Sequence, residues 1–159
     1  MTDRIPMTRT GYDKIKAEVE HLDTVEMPKI AERIANARAE GDLSENAEYH
    51  GQREAQGLLR AKINVLRDKL SRADIVDLSK LPRDEVVLGV TVVVKDLDLD
   101  DEEEFTLVGA GEEDYDTGKY LITSPIGLGL TGKRIGDQVE IPVPKGVMRF
   151  EIIALRFSE

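Results

Sequence analysis

Four carboxylates, Glu40, Asp42, Glu45 and Glu48, crowd into the segment Arg38-Ala39-Glu40-Gly41-Asp42-Leu43-Ser44-Glu45-Asn46-Ala47-Glu48-Tyr49. Carboxylates near a helix N-terminus stay ionised, because the helix dipole favours the charged form, and a close pair can share a divalent cation. Two alone hold Mg²⁺ weakly, since most of its octahedral shell remains water. Such a pair makes chemical sense as part of a metal site whose other ligands come from another protein. The same residues also have a plain structural use. Gly41 can end one helix, and Asp42-x-x-Glu45 has the spacing of a capping box, with Asp42 as N-cap and Glu45 at the third helical position. The residue types are compatible with both roles.

Other candidates for chemistry are weaker. Asp96 to Glu104 carries seven carboxylates in nine residues, but it lacks the spaced ligands, central Gly and terminal Glu of a calcium loop. A solvated, mobile strand-to-strand loop is the expectation there. Gly127 to Lys133 superficially suggests a phosphate loop, yet Arg134 stands where the motif needs a hydroxyl residue. No Cys is present, which excludes disulfides, thiolate nucleophiles and Cys-ligated metals, and the two His, at 21 and 50, leave little for an imidazole site.

The elements that must carry the acidic segment are helical. Ile15, Val19, Leu22, Ile30, Ile34 and Ala37 recur mainly at steps of three and four between charged residues, an amphipathic pattern. Pro28 predicts a kink or brief break near Val25 to Pro28. The pattern resumes from Glu45 to Ala73 through Ala47, Leu58 or Leu59, Ile63, Leu66, Leu70 and Ala73. Two such helices joined only by Gly41 to Ser44 must run antiparallel, as a coiled-coil hairpin. At about 1.5 Å per residue its arms reach about 40 Å and are expected to protrude, with the acidic segment at the distal end.

After Leu78 the pattern changes. Ser79 to Asp84 reads as a linker, and strands are expected at Val86 to Val94, Glu104 to Gly109, Lys119 to Thr123, Gln138 to Val143 and Val147 to Leu155. A short helical turn is expected around Ile126 to Leu130. The predicted class is α+β: an antiparallel α-helical coiled-coil hairpin in residues 1–78, then a small, mostly antiparallel β domain in residues 79–159.

Composition narrows the function. The chain has 159 residues, too few for a large catalytic fold with both cofactor and substrate domains. Three Phe, four Tyr and no Trp predict an aliphatic core. The net charge of -10 is uneven: residues 1–78 hold 13 basic and 15 acidic side chains, and residues 79–159 hold 9 and 17. That balance argues against a surface that tracks a phosphate backbone throughout and is compatible with a local basic strip. With no leader pattern at Met1 and no stretch of about 18 apolar residues, a cytoplasmic protein that does not engage a membrane is expected.

The segment Gly41 to Tyr49 resembles the hairpin tip of the bacterial Gre transcript-cleavage factors, a transcription elongation factor family, and the chain is similar to its GreA type. The opening Ile5-Pro6-Met7-Thr8 with Gly11, and Ser124-Pro125-Ile126, Gly132-Lys133 and Gly136-Asp137, extend the resemblance over nearly the full length. It implies a hairpin that enters the secondary channel of RNA polymerase and reaches the RNA 3′ end of a backtracked complex. There the factor would stimulate the polymerase's own endonucleolytic cleavage, acting as a monomer with no autonomous activity. The family's two catalytic acidic positions fall on Asp42 and Glu45, which would help hold the weaker of two Mg²⁺ ions. Arg38, Asn46, Tyr49 and Arg53 are candidate contacts to the extruded RNA. Arg53, Arg60 and Arg67 are candidates for a modest basic stripe of the GreA kind. The resemblance also implies an FKBP-like second domain docking at the channel rim through Ser124, Pro125 and Ile126, and DNA binding as a family property. Isomerase activity does not follow from such a fold.

Competing assignments are a non-cleaving inhibitor of the same channel, a coiled-coil adaptor or chaperone, and an autonomous isomerase or nuclease. Relatives of the inhibitory kind alter the tip, whereas this chain keeps Asp42 and Glu45. An adaptor would tolerate carboxylate loss, an isomerase would work without polymerase, and a nuclease would cut free RNA.

Overall fold

The computed structural model describes residues 3–42 and 45–157. Its contacts divide the chain into two compact units, residues 1–4 with 13–73, and residues 5–12 with 74–159. Among the described residues, no helix is long and apolar enough to cross a membrane.

The first unit contains most of α1 (Arg9–His21), a π-helical turn (Leu22–Glu26), α2 (Met27–Ala39) and α3 (Ala47–Ser71). Its buried positions on the first arm are Ile15, Val19, Leu22, Met27, Ile30, Ile34 and Ala37. All follow steps of three or four except Leu22 to Met27, a step of five that would swing an ideal α-helical stripe off its face. The π turn absorbs the extra residue: the Met27 N–H donates to the Leu22 carbonyl, five residues back. Pro28 follows at once in the first turn of α2, where a missing N–H costs least. His21, Glu26 and Met27 keep right-handed helical backbone. The disturbance expected near Pro28 is thus a widened turn just before the proline, not a break.

On α3, Ile63 is fully buried while Leu59, Leu66 and Leu70 are half-buried. Leu58 is 67% exposed, so Leu59 is the seam residue of that pair. Both α2 and the π turn pack against α3. Lys62–Glu18 at 3.5 Å and Arg67–Asp23 at 3.1 Å link the two arms. All four side chains are well exposed, so these pairs contribute little energy and mainly favour one register.

The second unit holds β1 (Ile5–Met7) and all but the first residue of β2 (Ala73–Ile75), paired as a two-stranded ribbon that is extended by a 2.9 Å bond from the Val76 N–H to the Met7 carbonyl. The main sheet has the order β5-β4-β3-β7-β6, from β3 (Thr91–Asp96), β4 (Asp101–Val108), β5 (Lys119–Leu121), β6 (Gln138–Val143) and β7 (Gly146–Arg156). Every pair is antiparallel except β4 with β5, which is parallel. Its core is aliphatic around Phe105 and Phe150, whose rings meet edge-on at 5.6 Å. The short helix α4 (Pro125–Leu130) packs on β6. Gly129 permits a close approach there, since a Cβ would lie 2.7 Å from Ile141 Cγ1 of β6, and Gly127 does the same against the end of β5, where a Cβ would lie 2.4 Å from the Ile122 carbonyl oxygen.

Two expectations need correction. The strand foreseen at Val86 to Val94 begins only at Thr91. Val86, Leu88 and Val90 are buried as a strand would bury them, but Gly89 at φ +90° turns the chain, and the Gly89 N–H bonds the Leu107 carbonyl instead of continuing a ladder. The acidic run 96–104 is not a mobile loop but a hairpin. Asp96 ends β3, β4 starts at Asp101, and Asp101 to Glu104 pair in register with Asp96 to Val93. Asp96 is only 6% exposed, and its Oδ1 accepts the N–H groups of Asp98 and Leu99. Lys95 meets Asp100 at 2.9 Å, and that hydrogen bond and charge hold the Asp100 carboxyl below its ordinary value. Local bonding of this kind lets acidic residues fold where composition alone suggests solvation.

Candidate functional site

The turn between α2 and α3 is built from its ends inward. At the end of α2 the N–H groups of Glu40 and Gly41 bond to the carbonyls of Ala37 and Arg38, tightening the last turn, and Gly41 leaves the helix at φ +124°. Gly41 therefore ends the first arm as its residue type suggests. The start of α3 differs from expectation. Its N-cap is Asn46, in extended conformation, whose Oδ1 accepts the Tyr49 N–H at 3.0 Å. Asp42 is not the cap, and Glu45 precedes the helix instead of occupying its first turn. Asn46 succeeds because its carboxamide meets two needs at once. While Oδ1 caps α3, Nδ2 donates to the Ala37 carbonyl at 2.7 Å, across the turn. An aspartate offers no donor for the second bond.

The four carboxylates separate into two kinds. Glu40 and Glu48 line an open recess with Arg33 and Asn36, and Glu48 also accepts from Gln52 Nε2 at 3.2 Å. Asp42 and Glu45 are exposed within the turn itself. Leu43 and Ser44, which join them in the tip motif, lie outside the described residues. Asp42 and Glu45 offer hard oxygen donors, the chemistry Mg²⁺ prefers, but two carboxylates leave most of a coordination shell to be filled from elsewhere. Among the described residues, no group of three or more His, Asp or Glu is placed to hold a metal ion.

Around this turn, Arg38 and Tyr49 face one another, the guanidinium 5.7 Å from the ring centroid, and His50 meets Tyr49 edge-on at 5.4 Å. Asn46 has committed one N–H and one oxygen lone pair to the turn. Arg53 and Arg60 are exposed on α3, whereas Arg67 is tied to Asp23. The candidate stripe of three arginines therefore has its third member engaged in an ion pair across the hairpin.

In the second unit, Ser124 caps α4, its hydroxyl accepting the Gly127 N–H at 3.1 Å, and Ile126 packs against the core. Pro125 is exposed on the first turn. Leu128, 69% exposed on the same short helix, escaped notice in the sequence. The run Ile126-Gly-Leu-Gly-Leu130 hides which of its apolar residues point outward, because six residues are too few to show a helical period.

Comparison with known proteins gives consistent matches over the whole chain. Residues 5–75 match the family model described as transcription elongation factor, N-terminal, and residues 81–157 match that described as transcription elongation factor, GreA/GreB, C-term. The chain is 49% identical over 158 residues to transcription elongation factor GreA of Thermodesulfovibrio yellowstonii, covering 99% of this chain and 100% of that protein. It is 45% identical over 156 residues to GreA of Hyphomonas neptunium, covering 98% and 99%. The crystal structure of GreA factor homolog 1 (Gfh1) of Thermus thermophilus aligns over 96% of this chain and 99% of that one, with a TM-score of 0.45 and 23% identity.

Proposed function

Because the chain belongs to the GreA/GreB family of transcription elongation factors, we propose that it binds RNA polymerase and stimulates the polymerase's own cleavage of backtracked nascent RNA. The hairpin in residues 1–78 enters the secondary channel, and the FKBP-like domain in residues 79–159 docks at its rim. One observation carries the assignment of the chemistry: an exposed carboxylate pair, Asp42 and Glu45, in the turn joining two antiparallel helices.

In this scheme Asp42 and Glu45 present oxygens to the more weakly held Mg²⁺ of the polymerase centre and help orient the attacking water. When bound, the ion supplies charge stabilisation for phosphoryl transfer of the two-metal type. The polymerase supplies the remaining ligands, and no general base is needed from this chain. Arg53 approaches the phosphates of the extruded RNA, Arg38 and Tyr49 offer a paired cation and ring, and Asn46 retains one donor and one lone pair for a polar contact.

The test is cleavage of 3′-labelled RNA in a stalled, backtracked polymerase complex across a Mg²⁺ titration at constant ionic strength. The factor is expected to lower the Mg²⁺ concentration for half-maximal rate, an effect that disappears with Asp42→Asn. An unchanged midpoint would shift the mechanism to repositioning of RNA by the tip. Cutting of free RNA by the purified protein would overturn the assignment of catalysis to the polymerase.

Docking can be tested separately. With Ser124 engaged as a cap and Ile126 turned to the core, Pro125 and Leu128 present the apolar surface of α4. Leu128→Asp is expected to weaken polymerase binding roughly tenfold, the loss of about 1.4 kcal/mol, because a charge replaces apolar contact area. Thermal unfolding should shift little, since Leu128 is exposed. Unaltered affinity would remove α4 from the docking surface.

A further inference from the structure

We propose that Asn46 is a positioning residue for the cleavage reaction: its carboxamide clamps the last turn of α2 to the first turn of α3 and so limits the arrangements open to Asp42 and Glu45. The inference rests on the function proposed above but concerns a residue to which helix capping alone would assign a lesser role. The Ala37 carbonyl accepts from both the Glu40 N–H, at 3.2 Å, and Asn46 Nδ2, at 2.7 Å. The first bond closes the end of α2. The second spans nine positions in sequence and fastens that end to the cap of α3.

Asp42 and Glu45 both lie inside the closed loop. Two ligands contributed by one chain cooperate only to the extent that the chain already holds them in place, because ordering them at the moment of binding costs conformational entropy. An open turn would still carry both carboxylates but would present them together less often. Arg38, next to Ala37, and Tyr49, whose N–H is capped by Asn46, also face each other across the turn, so a second contact joins the same two helix ends.

Two variants separate clamp from cap. Asn46→Ser keeps an oxygen that can accept the Tyr49 N–H, and serine is as good an N-cap as asparagine, but its side chain is too short to reach Ala37. Asn46→Asp keeps the shape and the cap but sets an oxygen against the Ala37 carbonyl. The chain has no native Cys, so spin labels on Glu40→Cys and Glu48→Cys report the turn alone. The clamp requires the distance distribution between the labels to broaden on the order of twofold in both variants, with helix content by circular dichroism retained.

In the backtracked-complex assay, with native Glu40 and Glu48, Asn46→Ser should raise the Mg²⁺ midpoint about fivefold, a larger effect than any on the rate at saturating Mg²⁺. Unchanged label distributions overturn the clamp. Broadening with an unchanged Mg²⁺ midpoint overturns the positioning role. If the parent itself fails to stimulate cleavage, the proposed function falls, and with it the positioning role, while the label experiment still decides whether the clamp exists.

Discussion

Asp42→Asn and Glu45→Gln are each expected to reduce cleavage stimulation by roughly a hundredfold or more while leaving polymerase affinity nearly intact. Each substitution keeps the shape of the side chain and removes the charge that a divalent cation requires. A hundredfold loss corresponds to about 2.7 kcal/mol of transition-state stabilisation, a plausible cost for one ligand in a two-metal reaction. The turn makes this a clean experiment. The cap of α3 is Asn46, and Gly41 leaves α2 at φ +124°, so neither substitution alters the residue that caps α3 or the glycine that ends α2. Circular dichroism should therefore match the parent. The measurement is the single-turnover cleavage rate at saturating factor, and rates within about threefold of the parent for both variants would sink the metal-sharing role.

The second large effect concerns the support of that turn. Ile63→Ala is expected to destabilise the hairpin by about 2–5 kcal/mol, the usual range for truncating a buried isoleucine. Ile63 is 0% exposed and is the one position of α3 that is buried outright among the described residues. With one helix of the hairpin packed on one arm, few other contacts compensate for its loss. Amide hydrogen exchange along α3 should accelerate accordingly, and cleavage stimulation should fall because a loosened hairpin holds its turn poorly. Leu58→Ala is the control. At 67% exposed, Leu58 lies off the seam, and its truncation should cost less than about 0.5 kcal/mol. Equal exchange rates in the two variants would show that Ile63 is not the anchor of the hairpin.

Much of this architecture can be read along the chain because its signals are local. The three- and four-residue steps through Ile15, Val19, Leu22, Ile30, Ile34 and Ala37 reflect a helix that must bury one stripe. The interval from Leu22 to Ile30 also contained the π turn, as a five-step to Met27 followed by a three-step to Ile30. That signal was present but is easily assigned to Pro28, since a proline is the commoner cause of a helix disturbance. Strand β6 (Gln138–Val143) coincides with its expected bounds because alternating burial over six residues has one solution. Val86 to Val90 did not behave so simply, since burial can be satisfied by irregular chain packed on a core as well as by a ladder.

The acidic turn divides along the same line. Asp42 and Glu45 are recognisable from residue type, from spacing and from their place between two amphipathic stripes. The cap was misassigned because Asp42-x-x-Glu45 and Asn46 both satisfy local capping rules, and local rules cannot rank them. The deciding bond, from Asn46 Nδ2 to the Ala37 carbonyl, exists only once α2 and α3 lie side by side. Likewise Arg67 reads as one of three evenly spaced arginines until the opposite arm brings Asp23 to 3.1 Å. The sequence by itself determined which residues form helices, which stripe each helix buries and where the carboxylates concentrate, because these depend on neighbours within a few positions. Only the tertiary structure decided which polar group caps α3, which arginine is neutralised and which side of α4 faces solvent. Those outcomes depend on partners distant in sequence, whose proximity is itself a product of folding.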